Sequence, residues 1–269
     1  MLFDRVAEDY DRMRPEYPAA LIDQAFTRAE LRPGSRVVDV GCGTGKLTAG
    51  LAKRGLTVEA IDPGPQLVEL ARRRMQGQSV TFHICRFEDA ELPSGAFDAV
   101  LSATAFHWVD PAVGWSRAAN LLRPNGLLAL LSHVGGPHLE LDEAFVAAWR
   151  DVLPEAASWI SRDANTLWEG AEARRGNVSE VWAWLTKQPI ERHEAAELFT
   201  DVQIDTISID RTETTAEALA LTRTTSAYLR LDDQSRRKLE TRLAAVLDSA
   251  GGVLRYTTFA VLVTARVTA

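Results

Sequence analysis

Between residues 36 and 132 the chain alternates short apolar, β-branched runs with stretches of helical spacing. Residues 36–40 (Arg36-Val37-Val38-Asp39-Val40) form such a run and lead into a glycine-rich turn. A run of this kind reads as a strand buried on both faces. The same character returns at residues 57–61, 80–84, 97–102 and 126–132. Between these runs, residues 45–54, 65–75 and 111–122 carry apolar positions at helical spacing. Strand and helix alternating at this βαβ rhythm predict a parallel sheet with helices on both faces.

The rhythm is absent on either side. Residues 1–35 read as an arm followed by a helix: Pro18 suits a helix start, Leu21, Ile22, Ala25 and Phe26 share one face, and Pro33-Gly34 breaks the chain. Residues 138–196 lack strand alternation and read as helices, and five of the seven tryptophans fall there: Trp149, Trp159, Trp168, Trp182 and Trp184. Strand character resumes at 202–209, helices are expected from about 216 and over 233–248, and 256–267 is strongly β-prone after Gly251-Gly252. The expected organisation is therefore an arm and helix at 1–35, a βαβ core at 36–132, a helical cap inserted after the fifth strand at 133–200, and completion of the sheet by 201–269. A cap in that place would lie over the crevice side of the sheet, and its tryptophans would offer an apolar lid.

The segment Val37-Val38-Asp39-Val40-Gly41-Cys42-Gly43-Thr44-Gly45 carries the candidate chemistry. Closely spaced glycines after a strand let a ligand approach the backbone, and the following helix presents free N–H groups. A phosphate-binding P-loop would need glycine where Val40 stands and Ser or Thr where Leu47 stands. A dinucleotide loop would need a third glycine where Lys46 stands. Asp62 ends the second strand, 21 positions after Gly41, where a carboxylate can accept hydrogen bonds from both ribose hydroxyls. Capping the helix that follows Pro63 is its other reading, and both roles can coexist.

Composition narrows the partners. The net charge of −7 over 269 residues argues against a surface that tracks nucleic-acid phosphates. Two cysteines, Cys42 and Cys85, make no metal or redox spacing and point to a reduced compartment. The first residues lack the apolar run of a signal peptide, and no apolar stretch reaches the length of a membrane helix. A cytoplasmic protein without a nucleic-acid, membrane or metal partner is expected, of unassigned oligomeric state.

Val-Asp-Val-Gly-Cys-Gly-Thr-Gly at 38–45 resembles the first motif of class I S-adenosylmethionine-dependent methyltransferases. The resemblance implies a Rossmann-like α/β fold with a seven-stranded, mostly parallel sheet, and S-adenosyl-L-methionine as cofactor. It implies that Asp39, Gly41, Cys42 and Gly43 wrap the methionine part, and that Asp62 and Pro63 lie at the ribose. Glu88, or else Asp89, would meet the adenine amino group, with Phe87 packed on the ring. Ala103 would close the fourth strand beside the cofactor. The run Ala103-Thr104-Ala105-Phe106 departs from the Asn/Asp-Pro-Pro-Tyr pattern of base-methylating relatives and is similar to the small-molecule branch, so a small-molecule acceptor is expected. The N-terminal Phe3-Asp4-Arg5-Val6-Ala7 and Tyr10 to Pro18 resemble the arm of the trans-aconitate-methyltransferase-like group. On that likeness Arg14 would pair with the methionine carboxylate and Tyr10 would cover the sulfonium side. The resemblance covers residues 3–132, extends without a specific motif over 222–266, and leaves 133–200 unmatched.

A sulfonium methyl is already electrophilic, so alignment of the acceptor can supply most of the catalysis. A base is needed for a hydroxyl, an ammonium or a carbon acid, and not for a carboxylate. His107, just past the fourth strand, is the leading candidate for base or orienting donor; its other reading is a structural histidine beside Trp108. His133, His138 and Tyr228 follow. Two competing readings are an NAD(P)-dependent oxidoreductase on a related sheet and a non-catalytic S-adenosylmethionine-binding module.

Overall fold

The computed structural model describes residues 2–135, 139–159, 164–188, 195 and 197–268. In chain order its elements are α1 (Ala7–Met13), α2 (Ala19–Arg28), β1 (Arg36–Val40), α3 (Lys46–Ala52), β2 (Thr57–Ile61), α4 (Pro65–Arg74), β3 (Val80–His83), β4 (Phe97–Ala103), α5 (Pro111–Leu121), β5 (Leu122–Val134), α6 (Leu139–Arg150), α7 (Ala164–Glu172), α8 (Val178–Thr186), β6 (Phe199–Thr214), α9 (Thr215–Arg223), α10 (Ser226–Leu229), α11 (Asp233–Ser249) and β7 (Val253–Val267). Short 3-10 turns occur at Asp4–Val6, Phe87–Asp89, Phe106–Trp108 and Pro154–Trp159.

The seven strands form one sheet in the order β3-β2-β1-β4-β5-β7-β6, mostly parallel, as the resemblance implies. Registers align the carboxyl ends: Val40 faces Ile61 on one side and Ser102 on the other, Ile61 faces His83, and Ala103 faces Leu131. The strand order reverses between β1 and β4, and a ligand crevice opens at such a switch point. The strands are apolar because helices cover both faces. Val37, Val38, Ala99, Val100, Leu128 and Leu130 are at most 1% exposed, so alternation is absent and length alone marks them as strands.

The chain divides into two compact units. The sheet unit comprises Glu16–Val134, Asn165–Ile207 and Ala260–Ala269, and so draws on all seven strands. Its helices start on predictable signals. Pro65 and Pro111 stand in the first turns of α4 and α5, and Asp110 caps α5 by accepting from the Ala112 N–H. Asn177 does the same for α8 through Ser179. Asp205, on β6, holds Arg28 at the end of α2 in an ion pair.

The second unit is assembled from Met1–Pro15, Gly135–Ala164 and Ser208–Phe259. Its core packs Ala148, Trp149, Ala156, Tyr228, Leu239 and Leu243, with a second cluster at Ala218, Leu247 and Leu254. Leu239, Leu243 and Leu247 recur every fourth residue and put the apolar stripe of α11 on this core. Thr214 and Glu217 make a reciprocal capping box at the start of α9.

Three strands are longer than their apolar runs suggest. β5 begins at Leu122 rather than Gly126, because Leu122 still pairs with Phe97 before the register shifts. β6 and β7 span 16 and 15 residues, and their outer halves belong to the second unit. The stretch expected as a single insertion at 133–200 is shared between the two units. Trp149 and Trp182 are 7% and 3% exposed. Trp184 donates its indole N–H to the Leu167 carbonyl and carries the Arg174 guanidinium 4.2 Å from its ring centroid. Trp168 is half-buried.

Candidate functional site

The glycine loop leaves β1 with three left-handed glycines: φ is +70° at Gly41, +53° at Gly43 and +81° at Gly45. Side chains rarely tolerate this region, which explains the residue type. Gly41 needs glycine for a second reason, since an added Cβ would stand 2.3 Å from the Ala105 Cβ. The exit of β4 thus packs directly on the loop. An added Cβ at Gly43 would meet nothing within 4 Å, so that position borders open space. The Gly41 and Cys42 N–H groups donate to the Ile61 carbonyl at 2.8 and 3.0 Å and tie the loop to the end of β2.

Asp62 completes the loop. One carboxylate oxygen accepts from the Gly43 N–H at 3.0 Å and the other from the Gly64 N–H at 2.8 Å. The capping reading of Asp62 does not hold, because the N-cap of α4 is Gly64, with no side-chain cap hydrogen bond; Asp62 instead braces the loop to the β2–α4 turn. Asp39 lies beneath the loop, wholly buried. Its Oδ2 accepts from the Thr48 hydroxyl at 2.6 Å, while its Oδ1 has no hydrogen-bond partner. Burial pushes the Asp39 carboxyl up to about 7, helped by the nearby Asp62 charge and opposed by the Thr48 hydroxyl. The same burial, with the Asp39 and Asp62 charges, raises the Cys42 thiol. Cys42 is accordingly an unreactive apolar filler.

The adenine-side residues are placed differently from one another. Glu88 is half-buried and accepts from Arg86 at 2.8 Å and from the Asp110 N–H at 2.9 Å. Burial alone would raise its carboxyl, yet these hydrogen bonds hold it below its ordinary value. Phe87 is only 4% exposed and joins an aromatic cluster with Phe106 and Trp115. Its ring therefore offers no open face to an adenine, because the 3-10 turn directs the apolar residue inward. Ile84 and Trp108, each 45% exposed, are the large apolar side chains left open on the loops after β3 and β4. Pro63 and Ala103 are half-buried at the ends of β2 and β4.

His107 sits in the 3-10 turn after β4, half-buried and 5.2 Å from the Trp108 ring. His133 is the penultimate residue of β5 and stacks on Tyr17 with ring centroids 4.7 Å apart. The Tyr17 hydroxyl hydrogen-bonds the Thr104 hydroxyl. Tyr17 and Thr104 had no marker in the sequence, since the pair joins residues 87 positions apart. His138 lies outside the described residues.

Tyr10 and Arg14 belong to the second unit. There the Arg14 guanidinium donates to the Thr224 carbonyl at 2.8 Å and lies 5.3 Å from the Tyr10 ring centroid. Tyr228 gives its hydroxyl to Glu240, which also holds Arg223, and so serves a structural network. Among the described residues, no three metal-ligating side chains cluster, and no helix is long and apolar enough to cross a membrane.

A glycine loop braced by a β2 carboxylate, at the switch point of a 3-2-1-4-5-7-6 sheet, defines a class I methyltransferase fold. A methyltransferase-domain family model matches residues 38–130. An uncharacterized methyltransferase of Mycobacterium bovis is 43% identical over 122 residues, 45% of this chain and 48% of that one. A demethylmenaquinone methyltransferase of Tropheryma whipplei is 33% identical over 171 residues, 60% of this chain and 70% of that one. A structure from Anaeromyxobacter dehalogenans, assigned provisionally to the type II methyltransferases, superposes with a TM-score of 0.60 at 24% identity, covering 94% and 97% of the two chains. The chain spans about half the length of the mycobacterial relatives it matches. It belongs to the class I S-adenosylmethionine-dependent methyltransferases. The cofactor of that family is S-adenosylmethionine, and the loop fits it: an unbonded buried carboxylate oxygen lies at Asp39, and Gly43 borders open space, an added Cβ there meeting nothing within 4 Å.

Proposed function

We propose that the protein transfers a methyl group from S-adenosylmethionine to a small-molecule acceptor. The observation that carries this reading is the Asp62 brace, which fixes the Gly43 N–H where the loop borders open space and sets a buried carboxylate at the end of β2. When bound, the cofactor supplies an electrophilic methyl group on sulfur. The chain's residues hold and shield it. Gly41 to Gly43 receive the methionine part, Asp39 lies beneath that end as a buried anion in waiting, and Asp62 takes the ribose hydroxyls. Glu88 is the candidate for the adenine amino group, and Ile84 and Trp108 supply apolar cover. His107 is the candidate for orienting the acceptor.

The Tropheryma whipplei relative is named for a demethylmenaquinone substrate, and that likeness favours a small organic acceptor here. The net charge of −7 and the lack of an Asn/Asp-Pro-Pro-Tyr run at 103–106 favour it too. The arm at residues 3–18 favours the trans-aconitate-methyltransferase-like branch, with the helices of 133–200 as the seat of acceptor choice. The test has two parts. Titration calorimetry should show binding of S-adenosylmethionine and none of NADH. Incubation with a metabolite panel should then form S-adenosylhomocysteine with the true acceptor. Binding of NADH alone would overturn the assignment. Cofactor binding without turnover on any acceptor would leave a binding module in its place.

A further inference from the structure

We propose that Tyr17, Thr104 and His133 form the acceptor-oxygen site, and that it takes a neutral hydroxyl on a planar ring, a phenol or an enol. This deepens the methyltransferase reading and rests on it. The three residues come from remote positions and meet at the carboxyl ends of β4 and β5. The Tyr17 and Thr104 hydroxyls share a hydrogen bond, and the His133 ring stacks on Tyr17 at 4.7 Å with 30° between the planes. All three are half-buried, so each keeps some surface for a ligand.

Two observations tie this cluster to the chemistry. Thr104 has φ of +51°, a conformation that a β-branched residue adopts rarely and at a cost of order 1–3 kcal/mol. Its N–H donates to the Leu131 carbonyl at 2.8 Å, and that bond together with Tyr17 holds the strained turn. The next residue, Ala105, is the one whose Cβ stands against Gly41. The hydroxyl pair is therefore one residue removed from the cofactor loop.

The ligand class follows from what the cluster can offer. Two hydroxyls and an imidazole both donate and accept hydrogen bonds, and the stacked rings present aromatic surface. None carries a fixed charge. A carboxylate or phosphate acceptor calls for the planar fork of arginine, and an ammonium calls for a carboxylate; these three side chains supply neither. A phenol matches them in polarity and in shape. In the reaction the acceptor oxygen forms the new C–O bond, its O–H proton passes to the His133 imidazole, and the sulfur keeps the electron pair of the broken S–C bond as a neutral thioether.

The probe is 4-nitrophenol, whose phenolate absorbs visible light, titrated into the full-length protein saturated with S-adenosylhomocysteine; 4-nitroanisole, which lacks the hydroxyl, is the control. The wild type should bind 4-nitrophenol saturably and more tightly than the anisole. Tyr17→Phe and Thr104→Val should each weaken 4-nitrophenol about tenfold, the worth of one hydrogen bond, and leave 4-nitroanisole unchanged. At pH 6, where the free probe is mostly protonated, binding to the wild type should raise the phenolate absorbance, and His133→Asn should abolish that rise. Thr104→Ser, which keeps the hydroxyl, should restore binding. A purely structural role would weaken both probes alike and would overturn the proposal, as would equal wild-type affinity for the two or no saturable binding of 4-nitrophenol. Failure of the wild type to bind S-adenosylhomocysteine at all would instead sink the methyltransferase reading.

Discussion

The two units of this chain are built on opposite principles. In the sheet unit, the glycine loop, its strand and its helix follow one another within 17 residues, Arg36 to Ala52. In the second unit, three segments, Met1–Pro15, Gly135–Ala164 and Ser208–Phe259, must meet before any core exists. The first arrangement writes its function into local sequence, because each glycine answers a local backbone demand. The second is held by pairings such as Arg14 with the Thr224 carbonyl, whose partners leave no local trace. Chemistry that depends on backbone geometry is thus readable one residue at a time, whereas packing across distant segments is not.

The sharpest test of this contrast lies within the loop itself. Gly41→Ala places a Cβ 2.3 Å from Ala105 and forces φ of +70° on alanine, so it should cost about 3 kcal/mol or more of stability. Gly43→Ala meets no atom within 4 Å and should cost about 1 kcal/mol through its φ of +53° alone. Thermal melting should separate the two by several degrees. Calorimetry on Gly43→Ala should nevertheless show lost cofactor affinity, since the new methyl group enters the space proposed for the methionine part. Equal melting temperatures would mean that the exit of β4 does not press on the loop.

Asp62 comes next in size. Removing it strips two backbone N–H groups of their acceptor and the ribose of its carboxylate. Asp62→Ala should weaken S-adenosylmethionine about a hundredfold, on the order of 3 kcal/mol. It should also lower the melting temperature. Asp62→Asn retains one acceptor oxygen and should fall between the two. Unchanged affinity in Asp62→Ala would show that the brace is structural and nothing more.

Particular elements show where sequence reasoning ran out. Strands β1 and β2 were bounded to the residue, because buried parallel strands are short apolar runs closed by turn residues. β6 was underestimated at both ends: the stretch from Asp205 to Thr212 is not an apolar run but an alternation of half-buried and exposed positions, and residues such as Asp205, Asp210 and Arg211 conceal a strand. At the candidate site, the turn at Gly41, Gly43 and Gly45 was legible because each glycine answers a left-handed backbone, and the roles of Asp39 and Asp62 are proposed from the same spacing. Phe87 was expected on a ligand and instead fills the core, since a phenylalanine reads the same whichever way its turn faces. Tyr17 and Thr104 were invisible. A hydroxyl pair 87 positions apart has no period, and the positive φ of a threonine is known only from its backbone.

The second unit provides a smaller perturbation. Tyr228→Phe removes one hydrogen bond to Glu240, while Arg223 keeps its bidentate hold on that carboxylate. Stability should fall by about 1 kcal/mol, measured by urea unfolding. S-adenosylmethionine affinity should stay within about twofold, because the hydroxyl is committed to structure. A collapse of affinity would erase the distinction between a region that carries chemistry and one that carries packing.

The least of these effects is a proton, and it probes the buried end of the loop. Free Asp39 titrates near 7 because burial disfavours its charge, against 3.8 for an ordinary aspartate. Between these values the folded state holds a proton that the unfolded chain has released. Linkage then makes stability fall as pH climbs from about 4 to about 7 and level off above, and Asp39→Asn should flatten that slope. The cofactor brings two positive charges, a sulfonium and an ammonium, to the loop above this carboxyl. A cation nearby favours the ionised form and lowers the pKa again. Binding at pH 6, where the free carboxyl is about nine-tenths protonated, should therefore release between about half a proton and one proton. Calorimetry in phosphate and in imidazole buffer reads this directly, because the apparent enthalpy differs by the protons released times the difference in buffer ionisation enthalpy. At pH 8.5 the two buffers should agree, and Asp39→Asn should show no buffer dependence at either pH. Agreement between the buffers at pH 6 in the wild type would mean that Asp39 keeps its proton under the bound cofactor, and that the unbonded oxygen is a feature of packing rather than part of the site.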